Sequence, residues 1–290
     1  MCIFQNDQTT IIHGDTLEIL DQVVDDRSVN LIFADPPYNI GKRFAQFVDK
    51  WDSEEDYAKW CEEWLTICIR KLKPNGSMYV MTSTQSMPYL DLFIRKNMVI
   101  LSRIVWSYDS SGVQARSRFG SMYEPILHCV VNEKDYVFNS DAILVEAKTG
   151  AKRKLIDYRK ANPMPYNTQK VPGNVWDFPR VRYRMPEYEE HPTQKPEVLL
   201  ERIIQVSSHP GDLILDPFAG SFTTCAVAQQ IQRKSIGIER EFEYIKIGIR
   251  RLGIQDHWDG EPLAAPQKNV VRKNFNGVKE NVIGSHPTLF

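Results

Sequence analysis

Apolar positions along this chain follow two periods. Residues 10–13 make a short strand-like stretch closed by Gly14-Asp15, after which Leu17, Leu20 and Val23 recur at helical spacing. Residues 29–34 are a continuous apolar run that stops at Asp35, as expected of a strand buried on both faces of a parallel sheet. Residues 53–72 read as a helix: Ser53 suits an N-cap, and Trp60, Trp64, Leu65 and Ile69 share one face. Pro74-Asn75-Gly76 predicts a turn before a strand at 77–81, and 100–106 and 126–131 predict two more strands. Beyond residue 190 the spacing predicts helix 196–207, strand 213–215, helix 222–232, strand 235–239 and helix 241–252. Strands and helices in alternation predict βαβ units and an α/β fold.

Three stretches break the rhythm. Residues 39–52 form a loop with Gly41, Phe44, Phe47 and Trp51, a candidate lid. Residues 139–190 are rich in Pro, Asn, Tyr and basic residues and read as an insertion. Residues 255–290 are polar and aperiodic and read as a tail. The chain thus divides into 1–138, the insertion 139–190, a second half 191–254, and the tail.

Composition narrows the class. Hydrophobic residues at 42% and charged residues at 25% are ordinary for a globular protein. There is no secretory pattern and no apolar run of membrane-spanning length, so a cytoplasmic protein without membrane contact is expected. Five scattered cysteines without a C-x-x-C pair predict reduced thiols and no metal. A net charge of −1 excludes a general nucleic-acid coat but permits a local basic face. Residues 139–190 hold ten basic and seven acidic residues, a local excess of three. Lys152, Arg153, Lys154, Arg159, Lys160, Lys170, Arg180, Arg182 and Arg184 are the candidate phosphate and guanine contacts. Asn162, Asn167, Gln169 and Asn174 could read adenines; a solvated basic loop is the competing explanation.

The candidate chemistry begins with Asp35-Pro36-Pro37-Tyr38. It follows a strand, where open α/β sheets place ligands. The prolines fix φ and leave carbonyls without adjacent N–H donors. A carboxylate, a rigid carbonyl and an aromatic face then suit an exocyclic amine on a flat base. Such an amine is a poor nucleophile because its lone pair is delocalised into the ring. Accepting both N–H bonds, through Asp35 and the Pro36 carbonyl, would make that lone pair usable, while Tyr38 stacks on the base. A Pro-Pro turn with a capping Asp and a core tyrosine would look the same.

Asp216-Pro217-Phe218-Ala219-Gly220-Ser221 also joins a strand to a helix, with small residues that let a ligand approach the backbone. It lacks G-x-G-x-x-G, which disfavours a dinucleotide; Asp216 suits an amino-acid ammonium. Glu239 ends a strand about 20 residues further on, where an acid accepts ribose hydroxyls or merely begins a helix. In His191-Pro192-Thr193-Gln194-Lys195-Pro196, Thr193 and Lys195 can reach the carboxylate end of the same ligand, and His191 reads as structural. Asp15 is either a helix N-cap or an acceptor for an adenine amine.

Together these segments resemble the β-group amino-methyltransferases of DNA, over roughly residues 10–252, and are most similar to the solitary enterobacterial adenine-specific type. The resemblance implies a Rossmann-like, S-adenosylmethionine-dependent fold with a mostly parallel seven-stranded sheet, circularly permuted and interrupted by a target-recognition region. It implies that Asp35, Pro36, Pro37 and Tyr38 hold a flipped adenine. Asp216, Phe218, Ala219, Gly220, Thr193 and Lys195 would hold the methionine part of the cofactor, Glu239 its ribose and Asp15 its adenine. Tyr123-Glu124-Pro125 resembles a family segment near the target base. Asp, rather than Ser, in the tetrapeptide implies adenine N6; N4 of cytosine, and a catalytically silent DNA-binding regulator, are the alternatives. Double-stranded DNA and a homodimer are the implied partners.

Overall fold

The computed structural model describes residues 2–109, 116–117, 119–147, 155–159 and 161–254. Its core is one mixed sheet. In chain order the strands are β1 Cys2–Gln5, β2 Thr9–His13, β3 Val29–Ala34, β4 Leu72–Met81, β5 Val99–Ser107, β6 Tyr123–Val130, β7 Val175–Asp177, β8 Leu213–Asp216 and β9 Lys234–Glu239. The helices are α1 Thr16–Val23, α2 Glu54–Lys71, α3 Met87–Asn97, α4 Glu197–Ser207, α5 Thr223–Gln230 and α6 Phe242–Arg251.

Across the sheet the order is β1-β2-β9-β8-β3-β4-β6-β5-β7. Only β1 and β6 run against the other seven strands. The α/β expectation holds, but the sheet has nine strands rather than seven. The additions are edge strands. Trp176 of β7 sits in the core from within the 139–190 stretch, and β1 covers the open edge of β2.

Both faces of the sheet are buried. In β3, Leu31 and Phe33 pack toward α4 and α5, while Ile32 and Ala34 pack toward α1, α2 and α3. Ser53 caps α2 by accepting the Asp56 N–H, and acids in its first turn and bases in its last match the helix dipole. Leu72 pairs with Val29 and Ser77 with Leu31, so the Pro74-Asn75-Gly76 turn is a loop pushed out of β4 rather than a break before it. Helix α3 was not predicted. Its apolar stripe is interrupted by Asp91, which is buried because Arg95 and Arg103 satisfy it.

His128 on β6 stacks on Tyr79 with ring centroids 4.3 Å apart, and its Nε2 has no hydrogen-bond partner. Burial lowers its pKa to about 4. The unfolded chain therefore takes up this proton first as pH falls below about 6.5, and the folded state loses stability until about pH 4. Replacing His128 with Phe removes that penalty. Urea unfolding at pH 7.5 and pH 5 should show the variant gaining about 2 kcal/mol on wild type between the two. Other acids titrate in both proteins and cancel in the comparison. A difference independent of pH would mean that His128 is not held neutral.

Candidate active site

Strand order decides where the chemistry gathers. From β3 the chain moves outward through α2 to β4; from β8 it moves the other way through α5 to β9. The order reverses between β3 and β8, the position at which open α/β sheets bind ligands. Asp35, Asp216 and Glu239 all stand at the carboxyl ends of these strands and line one cleft of about 380 Å³.

On the β3 side, Asp35 is tied to residues far away in sequence. Tyr38 Oη donates to Asp35 Oδ1 at 2.6 Å, and Lys195 Nζ lies 2.7 Å from Asp35 Oδ2. The same ammonium is 3.5 Å from Glu124 Oε2 on β6, and Tyr108 Oη donates to Glu124 Oε1 at 3.3 Å. Lys195, expected to reach the carboxylate end of the cofactor, lines the cleft, and its ammonium lies between these two acids, as a buried cation needs anions within reach. Burial raises the Asp35 pKa, against the pull of Lys195. Burial also disfavours the Lys195 charge, yet Asp35 and Glu124 outweigh it and hold the ammonium above its ordinary value. Tyr57 Oη donates to the Pro37 carbonyl at 2.7 Å.

On the β8 side, Asp216 accepts from the Phe218 N–H at 3.0 Å and from the Thr224 hydroxyl. Glu239 accepts from the Gly220 N–H at 2.8 Å and the Glu241 N–H at 2.7 Å. Burial pushes each acid up to about 7. Phe218 packs against Trp60 and Trp64, and the Ala219 N–H donates to the Ile238 carbonyl. Gly220 has φ +50°, and a Cβ there would stand 2.9 Å from His191 Nε2, so glycine is required on two counts. Asp15 is the helix N-cap that one of its two readings expects, one oxygen accepting the Leu17 N–H, and it also stands at the cleft. Thr193 lines the cleft too, and its N–H donates to His191 Nδ1 at 3.3 Å. The His191 ring is kept neutral by burial, with a pKa of about 3, beside Lys195 and Lys42. No cluster of metal-ligating side chains occurs among the described residues.

The loop 39–52 contains a small hairpin, Arg43–Phe44 against Phe47–Val48, which forms part of the cleft wall. Asp49, 1% exposed, holds it by accepting the backbone N–H groups of Tyr38 and Lys42. At the other end the Gln46 N–H donates to Glu241 at 3.0 Å, and Arg240 lies 4.8 Å from the centre of the Phe47 ring.

A family model described as a DNA methylase matches residues 29–250. The DNA adenine methyltransferase YhdJ of Escherichia coli K12 is 62% identical over 265 residues, covering 91% of this chain and 90% of that protein. The chain belongs to the DNA methylase family. A more distant relative, the type II methyltransferase M.HpaI of Haemophilus parainfluenzae, is 35% identical over 79% of this chain and 69% of its own length. The M1.HpyAVI–SAM complex superposes with a TM-score of 0.58 at 26% identity, over 84% of this chain and 98% of that one. The cytosine-N4-specific PvuII methyltransferase, at 19% identity and TM-score 0.62 over 85% and 87%, shares the fold.

In this methylase the expected DNA contacts divide into three groups. Lys152, Arg153, Lys154 and Lys160 lie outside the described residues. Arg159 is bound to Asp157 through two N–H bonds of 2.8 and 3.0 Å, so its charge is locally compensated. Lys170, Arg182 and Arg184 are exposed, and Arg180 lies over the Tyr108 ring at 5.0 Å, beside Glu124 in an adjoining hollow. Asp49, Glu124, Tyr57 and Tyr108 had no assigned role in the sequence reading. Only the Tyr123-Glu124-Pro125 segment gave a signal.

Asp49→Ala takes the side-chain acceptor from two part-buried N–H groups. Global stability should fall by about 1–3 kcal/mol in denaturant unfolding. Limited proteolysis should also cut faster within 39–52. Unchanged cleavage would show that the hairpin is held by its other contacts.

Proposed function

We propose that this protein moves the methyl group of S-adenosylmethionine to N6 of an adenine flipped out of duplex DNA. The carrying observation is that Asp35, with its Pro-Pro-Tyr sequel, shares one cleft with Asp216 and Glu239. The donor set fits the cofactor. Two buried acids in one wall suit a ligand carrying ammonium and ribose hydroxyls, and the Gly220 backbone leaves room for close approach. Asp216 is assigned to the ammonium, Glu239 to the ribose and Asp15 to the adenine. Phe218, Ala219, Gly220 and Thr193 form the walls. When bound, S-adenosylmethionine supplies an activated methyl group, so no covalent enzyme intermediate is required.

The base must leave the helix, at a cost of a few kcal/mol. Stacking on Tyr38 and hydrogen bonds to Asp35 and the Pro36 carbonyl offset that cost. Lys195 favours the ionised form of Asp35, an acceptor, against the pull of burial. Alignment of the amine with the methyl carbon and sulfur is then the main catalytic contribution. Asp35 together with the 62% identity to an adenine-specific relative favours adenine over cytosine. We read the chain order, amine-binding strand first and cofactor strands late, as a circular permutation of the family fold. Lys170, Arg180, Arg182 and Arg184 are assigned to the DNA.

A labelled-methyl assay on duplex DNA, with nucleoside analysis of the product, should yield N6-methyladenine. N4-methylcytosine instead would overturn the assignment of the base. Asp35→Ala should abolish turnover while cofactor binding persists, and retained turnover would remove its assigned role. Glu239→Ala should weaken cofactor binding at least tenfold by calorimetry.

A further inference from the structure

The Tyr38 hydroxyl carries one hydrogen and faces two carboxylates. Its oxygen is 2.6 Å from Asp35 Oδ1 and 2.9 Å from Glu124 Oε2. A phenol can donate to only one of them at a time. Both Asp35 oxygens are already engaged, Oδ1 by Tyr38 and Oδ2 by Lys195. An exocyclic amine brings two N–H donors of its own. Each carboxylate oxygen can accept a second bond, but a short donor already on Oδ1 weakens it as an acceptor for the amine.

Glu124 offers that hydroxyl another place to go. Its carboxylate is fixed by Tyr108 and Lys195, and its strand is paired on both sides, to β4 and to β5. A second hollow, of about 300 Å³, opens between Tyr38, Tyr108, Glu124, Arg180 and Lys195, on a scale that suits a planar group laid against Tyr38.

We propose that Glu124 is a positioning residue that takes over the Tyr38 hydroxyl hydrogen bond when the target amine arrives, freeing Asp35 to accept from that amine. The exchange needs no side chain to travel. The tyrosine oxygen is already within bonding distance of both carboxylates, so rotation of the O–H bond suffices. Without the second acceptor, the arriving amine would have to strip the hydroxyl of its only anionic partner in a buried place, which is costly. The inference rests on the reading of Asp35 as the amine acceptor.

The test is a double-mutant cycle. kcat/KM for methylation of a duplex is measured at saturating S-adenosylmethionine for wild type, E124Q, Y38F and the double variant. Glutamine keeps the shape but offers a weaker, neutral oxygen. E124Q should lower kcat/KM about tenfold or more where the Tyr38 hydroxyl is present, and less than about threefold in the Y38F background. Cofactor affinity by calorimetry should stay at the wild-type value throughout. An E124Q effect of equal size in both backgrounds would overturn the proposal, because Glu124 would then act without the hydroxyl. If E124Q fails to bind cofactor, E124D replaces it. Aspartate keeps the charge but is one methylene too short, and it must show the same dependence on Tyr38. Absence of methylation by the wild type would overturn the underlying reading, and is seen before any variant is made.

Discussion

One ammonium holds the floor of the amine side together. Lys195 stands between Asp35 and Glu124, and all three side chains are largely out of solvent. Each such ion loses several kcal/mol of hydration, and mutual attraction returns that only when the geometry is good. Well-packed apolar residues would serve stability equally well, so the arrangement is not explained by folding. On the proposed function it serves to favour the charged, accepting form of Asp35 in a place where burial opposes it. The ammonium also joins three distant parts of the chain: the end of β3, the start of β6 and the segment before α4. Tyr38, Tyr108 and Tyr57 then fill the remaining positions, because each can donate where only oxygens are on offer.

The β8 and β9 side solves the same problem without a cation. Asp216 and Glu239 accept from backbone N–H groups and one hydroxyl; these bonds favour the charged forms, but burial outweighs them and pushes both acids up to about 7. Both acids line the cleft. A ligand bearing positive charge gains from them what the protein has withheld, and an amino acid joined to a sulfonium is a ligand of that kind.

The sequence revealed the parts of the site that are local. Asp35 and Asp216 each end an apolar strand run and are followed by residues with unusual backbone demands, so their place at a ligand edge could be read from neighbours alone. Glu124 and Asp49 could not be read this way. Glu124 reaches Asp35 because an antiparallel strand inserts between β4 and β5, and sheet order is not written in periodicity. Asp49 acts through main-chain donors in an irregular loop, where no spacing rule applies. The ion pairs of Lys195 could not be read either, since its partners lie 160 and 71 residues earlier in the chain. The β7 strand, three residues long, is too short to show a period of two.

Sheet geometry also accounts for direct transfer between two bound groups. Strands β3 and β8 are neighbours, about 4.8 Å apart as parallel strands are. Leu215 pairs with Ile32, so Asp216 lies level with Phe33 and Asp35 stands two residues, about 7 Å, further along. On the proposed assignments, the cofactor's amino-acid end and the target amine would be anchored one strand and one pleat apart. A methyl group can cross between ligands held at that spacing without being parked on a side chain. This agrees with the cysteines: Cys61, Cys68, Cys129 and Cys225 are buried, and each thiol is held well above its ordinary pKa by desolvation. On the proposed function the nucleophile is the substrate's amine, and the protein's task is to bare its lone pair and point it.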